Sequence, residues 1–158
     1  MDLRMISAHR IAEQAFDSGL YCAESVVRAL ARAQGEDPDL PTRIATGFCS
    51  GMARTGGPCG ALSGGIIGIG LALGRAQAGE PVQAAYAAVQ AFIDDFEHIF
   101  GARHCDALLG CDLGTPEGQA HFRKQGLHER CREYTARAAE LAAGAIARHT
   151  AVEGTLAG

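Results

Sequence analysis

The chain has 158 residues, 47% of them hydrophobic and 20% charged, with a net charge of −4, no tryptophan and six cysteines. This length suits one domain with its own core. The acidic balance, without any basic run, excludes nucleic acid as a partner. The N-terminus, Met1 to Arg10, lacks the apolar core of a secretory signal, so a reducing, cytoplasmic setting is expected. Six cysteines in such a compartment point to metal, cluster or redox chemistry and away from a structural disulfide framework, with buried inert thiols as the plain alternative.

Asp2 to Phe16 reads as a first, partly exposed helix with Ile11, Ala15 and Phe16 inward. Asp17 or Ser18 can cap a second helix reaching about Gln34. In it Cys22, Val26 and Leu30 recur every four residues beside Ala23 and Val27, which turns Cys22 inward near a helix start. Gly35 and Pro38 end that segment. A short helix around Leu40 to Thr46, carrying Leu40 and Ile44, leads into a glycine-punctuated loop with Gly47, Gly51, Gly56 and Gly57.

The sequence predicts that the next helix begins at Pro58 or Cys59, because proline has the preset φ of a first helical residue. Cys59 then falls in a first turn, where unpaired N–H groups and the helix dipole favour a thiolate, with Arg54 close in sequence. Gly60, Gly64 and Gly68 lie four apart on one face of this helix, which lets another backbone or a flat cofactor approach closely. The uncharged run Pro58 to Leu73 falls short of the roughly 20 residues needed to cross a bilayer, so a buried central helix is expected and no membrane span.

Gly79 and Pro81 open an amphipathic helix with Val82, Tyr86, Val89, Phe92 or Ile93, Phe96 and Phe100 on its inward face. One helical turn is expected between Cys105 and Gly110, and another after the Thr115-Pro116 cap. A last helix runs from about Leu127 to Ala147, with Cys131 in its first turns and Leu141 and Ile146 further along. No β-like alternation of useful length appears. The expected fold is therefore all-α, a single helical-bundle domain over residues 1–150 around the glycine-rich helix, followed by a flexible tail, 151–158.

Several patterns carry no chemistry. Gly51-x-x-x-x-Gly56 is followed by Gly57-Pro58, not by the Lys-Ser/Thr that a phosphate loop needs. Ser63, in Ala61-Leu62-Ser63-Gly64-Gly65, lacks the preceding strand of a nucleophile elbow. Asp94, Glu97 and His98 lie one turn apart, but no second Glu-x-x-His exists to complete a carboxylate-bridged metal centre, so a solvated face is expected.

The cysteines are the chemical candidates. Cys59, Cys105, Cys111 and Cys131 can supply the four thiolates of an iron–sulfur cluster or two exchanging thiol pairs. Cys49, in the glycine loop, is a candidate resolving partner for Cys59. A zinc site from Cys105, Cys111, Cys131 and His128 is a further option, although neither Cys-x-x-Cys nor a zinc-knuckle spacing is present.

The strings G-G-P-C-G-A-L-S-G-G, Y-C-A-E-S-V and H-C-D-A-L-L-G-C-D-L, followed by Cys131, resemble the redox-active proteins named for their cysteine pattern, C_GCAxxG_C_C. The resemblance runs from about Ser18 to Ala139. It singles out Cys22, Cys59 with Gly60 and Gly64, Cys105, Cys111 and Cys131, while Cys49 is additional. The family name writes Gly before Cys, whereas this chain has Cys59 before Gly60. The chain is also similar to the N-terminal part of split-Soret cytochromes c, which are dimeric electron carriers. Without Cys-x-x-Cys-His, covalent haem attachment is not supported.

The resemblance implies a redox or electron-transfer protein, homodimeric, with an unnamed electron-transfer partner. Cys59, Cys105 and Cys111 are then the reactive set, Cys22, Gly60 and Gly64 are cofactor-facing, and Cys59, Cys105, Cys111 and Cys131 are the metal ligands of an iron–sulfur cluster or zinc. A non-catalytic helical module, binding a small molecule or dimerising through its glycine face, is the competing reading.

Overall fold

The computed structural model describes residues 2–156, with side chains through residue 150. Apart from an isolated bridge between Pro58 and His104, the described residues contain helices and turns and no strand. Helix α1 (Leu3–Asp17) starts where the Asp2 carboxylate accepts the Arg4 N–H at 2.8 Å, a side-chain N-cap. It buries Ala8, Ala12, Ala15 and Phe16.

Helix α2 (Cys22–Ala33) begins later than a cap at Asp17 or Ser18 would set it. Ser18 instead closes α1, its N–H donating to Gln14 O, and Gly19 turns the chain at φ 111°. The start of α2 is held by Glu24, whose carboxylate accepts the Tyr21 N–H at 3.0 Å, as a glutamate at the third helical position does. All five residues expected on its inner face, Cys22, Ala23, Val26, Val27 and Leu30, are buried.

Helix α3 (Asp39–Ala45) is a surface element, and Leu40 and Ile44 point to solvent. A turn at Thr46–Phe48 leads into the short α4 (Cys49–Arg54), and Cys59 then caps α5 (Gly60–Leu73). Helix α5 packs on α2, α6 (Gln83–Phe100) and α9 (His128–Leu156) and is the central helix of the bundle. Its glycine face is used inside the molecule. A methyl on Gly64 would come within 2.8 Å of the Ala23 carbonyl oxygen, one on Gly68 would overlap Leu30, and one on Gly65 would overlap the Phe92 ring.

Helix α6 buries Phe92 and Phe96, and Phe100 stacks edge-on with Tyr134 of α9 at 4.8 Å. Tyr86, expected inward, is 62% exposed, because the buried stripe of α6 passes through Ala88, Phe92 and Phe96 instead. Two short helices follow, α7 (Cys105–Leu109) and α8 (Pro116–Lys124), the latter capped by Thr115, whose hydroxyl accepts the Gly118 N–H.

Helix α9 packs against α1 through small residues, burying Ala138, Ala139, Ala142 and Ala145, whereas Leu141 and Ile146 are only half-buried. Arg132 straps the pair, its guanidinium donating to both Asp17 oxygens and to Glu13 at 2.7 Å each. The helix continues past Ala147 to Leu156. Of the expected tail, residues 151–156 are described by backbone alone, and 157–158 lie outside the described residues. No described helix is long and apolar enough to cross a membrane.

Candidate functional site

Helix α4 is left-handed. Ser50, Gly51, Met52, Ala53 and Arg54 all have φ between 58° and 68°, and four of these five are not glycine. L-residues in this region cost about 1–2 kcal/mol each, and strain of this kind persists only where the surroundings over-determine it. Here the chain is pinned at several points. Gly57 N–H donates to the Gly51 carbonyl at 2.9 Å, and the Thr55 hydroxyl donates to the Met52 carbonyl at 2.7 Å. Gly51 itself has no room for a side chain, since a methyl there would lie 2.6 Å from the Cys105 β-carbon.

Next to this turn, a two-residue clamp fixes the cysteines of α5 and α7. Cys59 N–H donates to the Arg103 carbonyl at 2.7 Å, and Cys105 N–H donates to the Gly57 carbonyl at 3.1 Å. With Pro58 bridged to His104 in antiparallel fashion, Cys59 and Cys105 are diagonal neighbours on one face of the clamp. Both point into the same cavity.

That cavity, about 210 Å³, is lined by Cys22, Cys59, Cys105 and Cys131 together with apolar groups such as Phe16, Leu108, Phe122 and Tyr134. Arg54, Gln119, Arg123 and His128 supply its polar wall, and His128 stacks on Phe16 at 4.6 Å. The four cysteines come from four helix beginnings. Cys22 and Cys105 are first helical residues, Cys59 is the cap of α5, and Cys131 lies in the first turn of α9. The N–H groups of Ser50, Ala23 and Cys22 are directed at the Cys22 sulfur and those of Ala61 and Leu62 at the Cys59 sulfur, a setting that favours negative charge on each.

Of the remaining candidates, Gly60 lines the cavity, whereas Gly64 packs on the backbone of α2 away from it. Cys111 is half-buried and is not in the cavity wall. All six cysteines are free thiols. Among the described residues no three His, Cys, Asp or Glu side chains come close enough to hold one metal ion, so the set Cys105, Cys111, Cys131 and His128 is not assembled around a single point.

Charge is distributed differently from the sequence expectation. Cys59, expected to be the low-pKa thiolate, is pushed well up by burial and then by the charge on Cys22, which together outweigh the Ala61 and Leu62 N–H groups that favour its ionisation. Cys22 takes that place, brought down to about 7. The Cys49 thiol beside it is the main cause, and the N–H groups of Ser50, Ala23 and Cys22 add to it against the opposing effect of burial. Cys105 and Cys131 are pushed up to about 12, first by burial and next by the charge on Cys22. Cys22 is thus the most readily ionised of the cavity thiols.

Cys49 is also placed differently. It is buried next to Cys22 and away from the cavity wall, rather than poised as a resolving partner for Cys59. The Tyr21-Cys22-Ala23-Glu24 string carried the signal for Cys22. A glutamate three residues after the cap marks Cys22 as the first residue of its helix.

The family described as "Putative redox-active protein (C_GCAxxG_C_C)" has a model that matches residues 20–145, a span holding all six cysteines. The chain belongs to this family. No curated protein and no solved structure matches it. In this member of the C_GCAxxG_C_C family, the Cys59-Gly60-Ala61 motif is the turn into the central helix, and its glycine packs against the Cys22 sulfur.

Proposed function

We propose that this protein carries out thiol-based redox chemistry in the four-cysteine cavity, with Cys22 as the reactive thiolate and Cys59, Cys105 and Cys131 as neighbouring thiols. The observation that carries this reading is the convergence of four helix beginnings, each bearing a cysteine, on one cavity. Apolar walls keep water away from the sulfurs, and the N–H groups around Cys22 hold its charge. Arg54, Arg123 and His128 give the cavity a side suited to an anionic group on a reaction partner. The test is a thiol count before and after equilibration in redox buffers. The reading expects reversible loss of two thiols in one two-electron step, abolished by Cys22→Ser, and a chain whose six thiols stay reduced in oxidising buffer overturns it.

A second reading assigns the same ring of thiols to an iron–sulfur cluster, and the presence of four cysteines on four separate elements around one cavity supports it. The donors are then Cys22, Cys59, Cys105 and Cys131, with Cys22 in the place the sequence suggested for Cys111. Such a group would supply one-electron transfer. Anaerobic purification decides between the two: iron with acid-labile sulfide supports the cluster, and a colourless, iron-free protein that still exchanges thiols supports the first.

Association as a homodimer, in a reducing cytoplasmic compartment, completes the proposal. The glycine face of α5 is occupied by α2, so the seam falls to an apolar residue left outside, Leu71 of α5 or Tyr86 of α6. Light scattering at micromolar concentration is the check. A monomer mass that persists on concentrating, in reduced and oxidised protein alike, removes the dimer.

A further inference from the structure

Cys49, like Cys111, is not reached by the cavity, but it is buried beside Cys22. It is 4% exposed and packed behind Cys22, and Gly60 lies against both, so that a methyl there would overlap the Cys22 sulfur and lie 3.1 Å from the Cys49 Cα. Cys22 thus has two sides, one facing the cavity and one facing Cys49. The Cys49 thiol has two acceptors within reach, Glu24 Oε1 at 3.7 Å and the Ala45 carbonyl at 3.8 Å, and Cys22 lies beside it. Glu24 is anchored, because its carboxylate also accepts the Tyr21 N–H at 3.0 Å and the Thr46 hydroxyl at 2.9 Å.

We infer that Cys22 and Cys49 are the exchanging pair of this protein, Cys22 attacking a small disulfide that enters the cavity and Cys49 resolving the mixed disulfide from behind, with Glu24 as the proton acceptor. This rests on the thiol reading above. The Cys22 thiolate attacks one sulfur of R–S–S–R, forming Cys22–S–S–R and releasing one RS⁻ into the cavity. Cys22 then no longer carries charge and no longer draws the Cys49 proton, which leaves Glu24 Oε1 and the Ala45 carbonyl as its acceptors. Cys49 gives that proton to Glu24 and attacks the Cys22 sulfur, displacing the second RS⁻. The second RS⁻ takes the proton from Glu24, so the substrate disulfide is reduced to one thiolate and one thiol while the Cys22 thiolate and the Cys49 thiol become one disulfide, and atoms, protons and electrons balance.

The arrangement suits the displacement. Thiol–disulfide exchange proceeds by attack on a disulfide sulfur with the leaving sulfur on the far side. Cys49 is on the protein side of Cys22 and the leaving group is on the cavity side. Cys59 and Cys105 share the cavity with the leaving group and lack that approach.

The experiment treats the reduced full-length chain with glutathione disulfide, quenches in acid and maps the bonds by peptide mass spectrometry. Wild type is expected to show a Cys22–Cys49 bond and no lasting adduct. Cys49→Ser and Cys49→Ala should each retain one glutathione on Cys22, and Cys59→Ser should still form the Cys22–Cys49 bond. Glu24→Gln, which keeps an oxygen to cap α2, should slow release of the second thiol by about tenfold or more. An adduct on Cys22 that resolves onto Cys59, Cys105 or Cys131, or that resolves in the Cys49 variants as fast as in wild type, overturns this inference and leaves the thiol reading standing. A wild-type chain that gains neither adduct nor bond overturns both.

Discussion

Gly60 is packed directly against the sulfur of Cys22, so closely that a β-carbon on Gly60 would overlap it and also lie 2.9 Å from the Phe48 carbonyl oxygen. The Phe48 oxygen and the Cys49 Cα, 3.1 Å from the added methyl, are backbone, which cannot rotate aside. Gly60→Ala is expected to cost about 1–3 kcal/mol, the usual range for overpacking. It should also displace Cys22 from its N–H donors, so alkylation of Cys22 should titrate upward, toward the ordinary thiol value. Urea unfolding and iodoacetamide rates against pH read the two effects separately.

Stability should rise with pH between about 7 and 9. Cys22 ionises near 7 in the folded chain and at the ordinary 9.0 once unfolded. Between those values the unfolded state holds the extra proton, so raising the pH favours the fold, and the contribution disappears as pH falls through 7. Cys59, Cys105 and Cys131 are raised and act with the opposite sign, their contribution being complete below 9.0 and lost as pH climbs further. Urea midpoints across this range check the rise. It should flatten in Cys22→Ser, and an unchanged slope in that variant would refute the assignment of the thiolate.

The left-handed turn makes two opposite predictions for neighbouring residues. Ala53 has φ 58°, so Ala53→Gly should relieve strain and change stability by about 1 kcal/mol in the favourable direction, less whatever glycine adds to the unfolded chain's entropy. Gly51→Ala combines a φ of 67° with a methyl 2.6 Å from the Cys105 β-carbon, and should destabilise by more than 1 kcal/mol. Thermal melts of the two single variants suffice. A stabilised Gly51→Ala would mean that α4 is not held in this conformation in solution.

Phe92 fills the space that Gly65 leaves, its ring being fully buried against that glycine. Phe92→Ala should therefore cost about 3–5 kcal/mol, as truncation of a buried aromatic does. Gly65→Ala alone should destabilise by collision with the ring. The double variant should recover part of the loss, because the methyl then occupies vacated space, and a double-mutant cycle from urea unfolding measures the coupling.

Much of the fold could be read from local pattern. The α2 stripe of Cys22, Val26 and Leu30, the Phe92–Phe96–Phe100 ladder of α6 and the Thr115-Pro116 cap each depend on neighbours three or four residues away, and each is as expected. Tyr86 and the pair Leu40 and Ile44 went the other way. Their spacing fits an inward face, but which face turns inward depends on what the rest of the chain places there, and α6 is covered along Ala88, Phe92 and Phe96.

What the sequence determined by itself was an all-α chain built on a glycine-bearing helix, with a set of cysteines as its chemistry, because periodicity, caps and composition are local properties. Only the tertiary structure decided which cysteine carries the charge. Both Cys22 and Cys59 lie at helix beginnings, so the dipole argument applies to each. The difference comes from the Cys49 thiol and the Ser50 N–H, which the left-handed turn delivers to Cys22 from far along the chain, while Cys59 is left with burial and a like charge beside it. That turn has glycine at Gly51 alone of its five left-handed residues, and backbone strain imposed by packing on both sides leaves no mark in the residues that bear it.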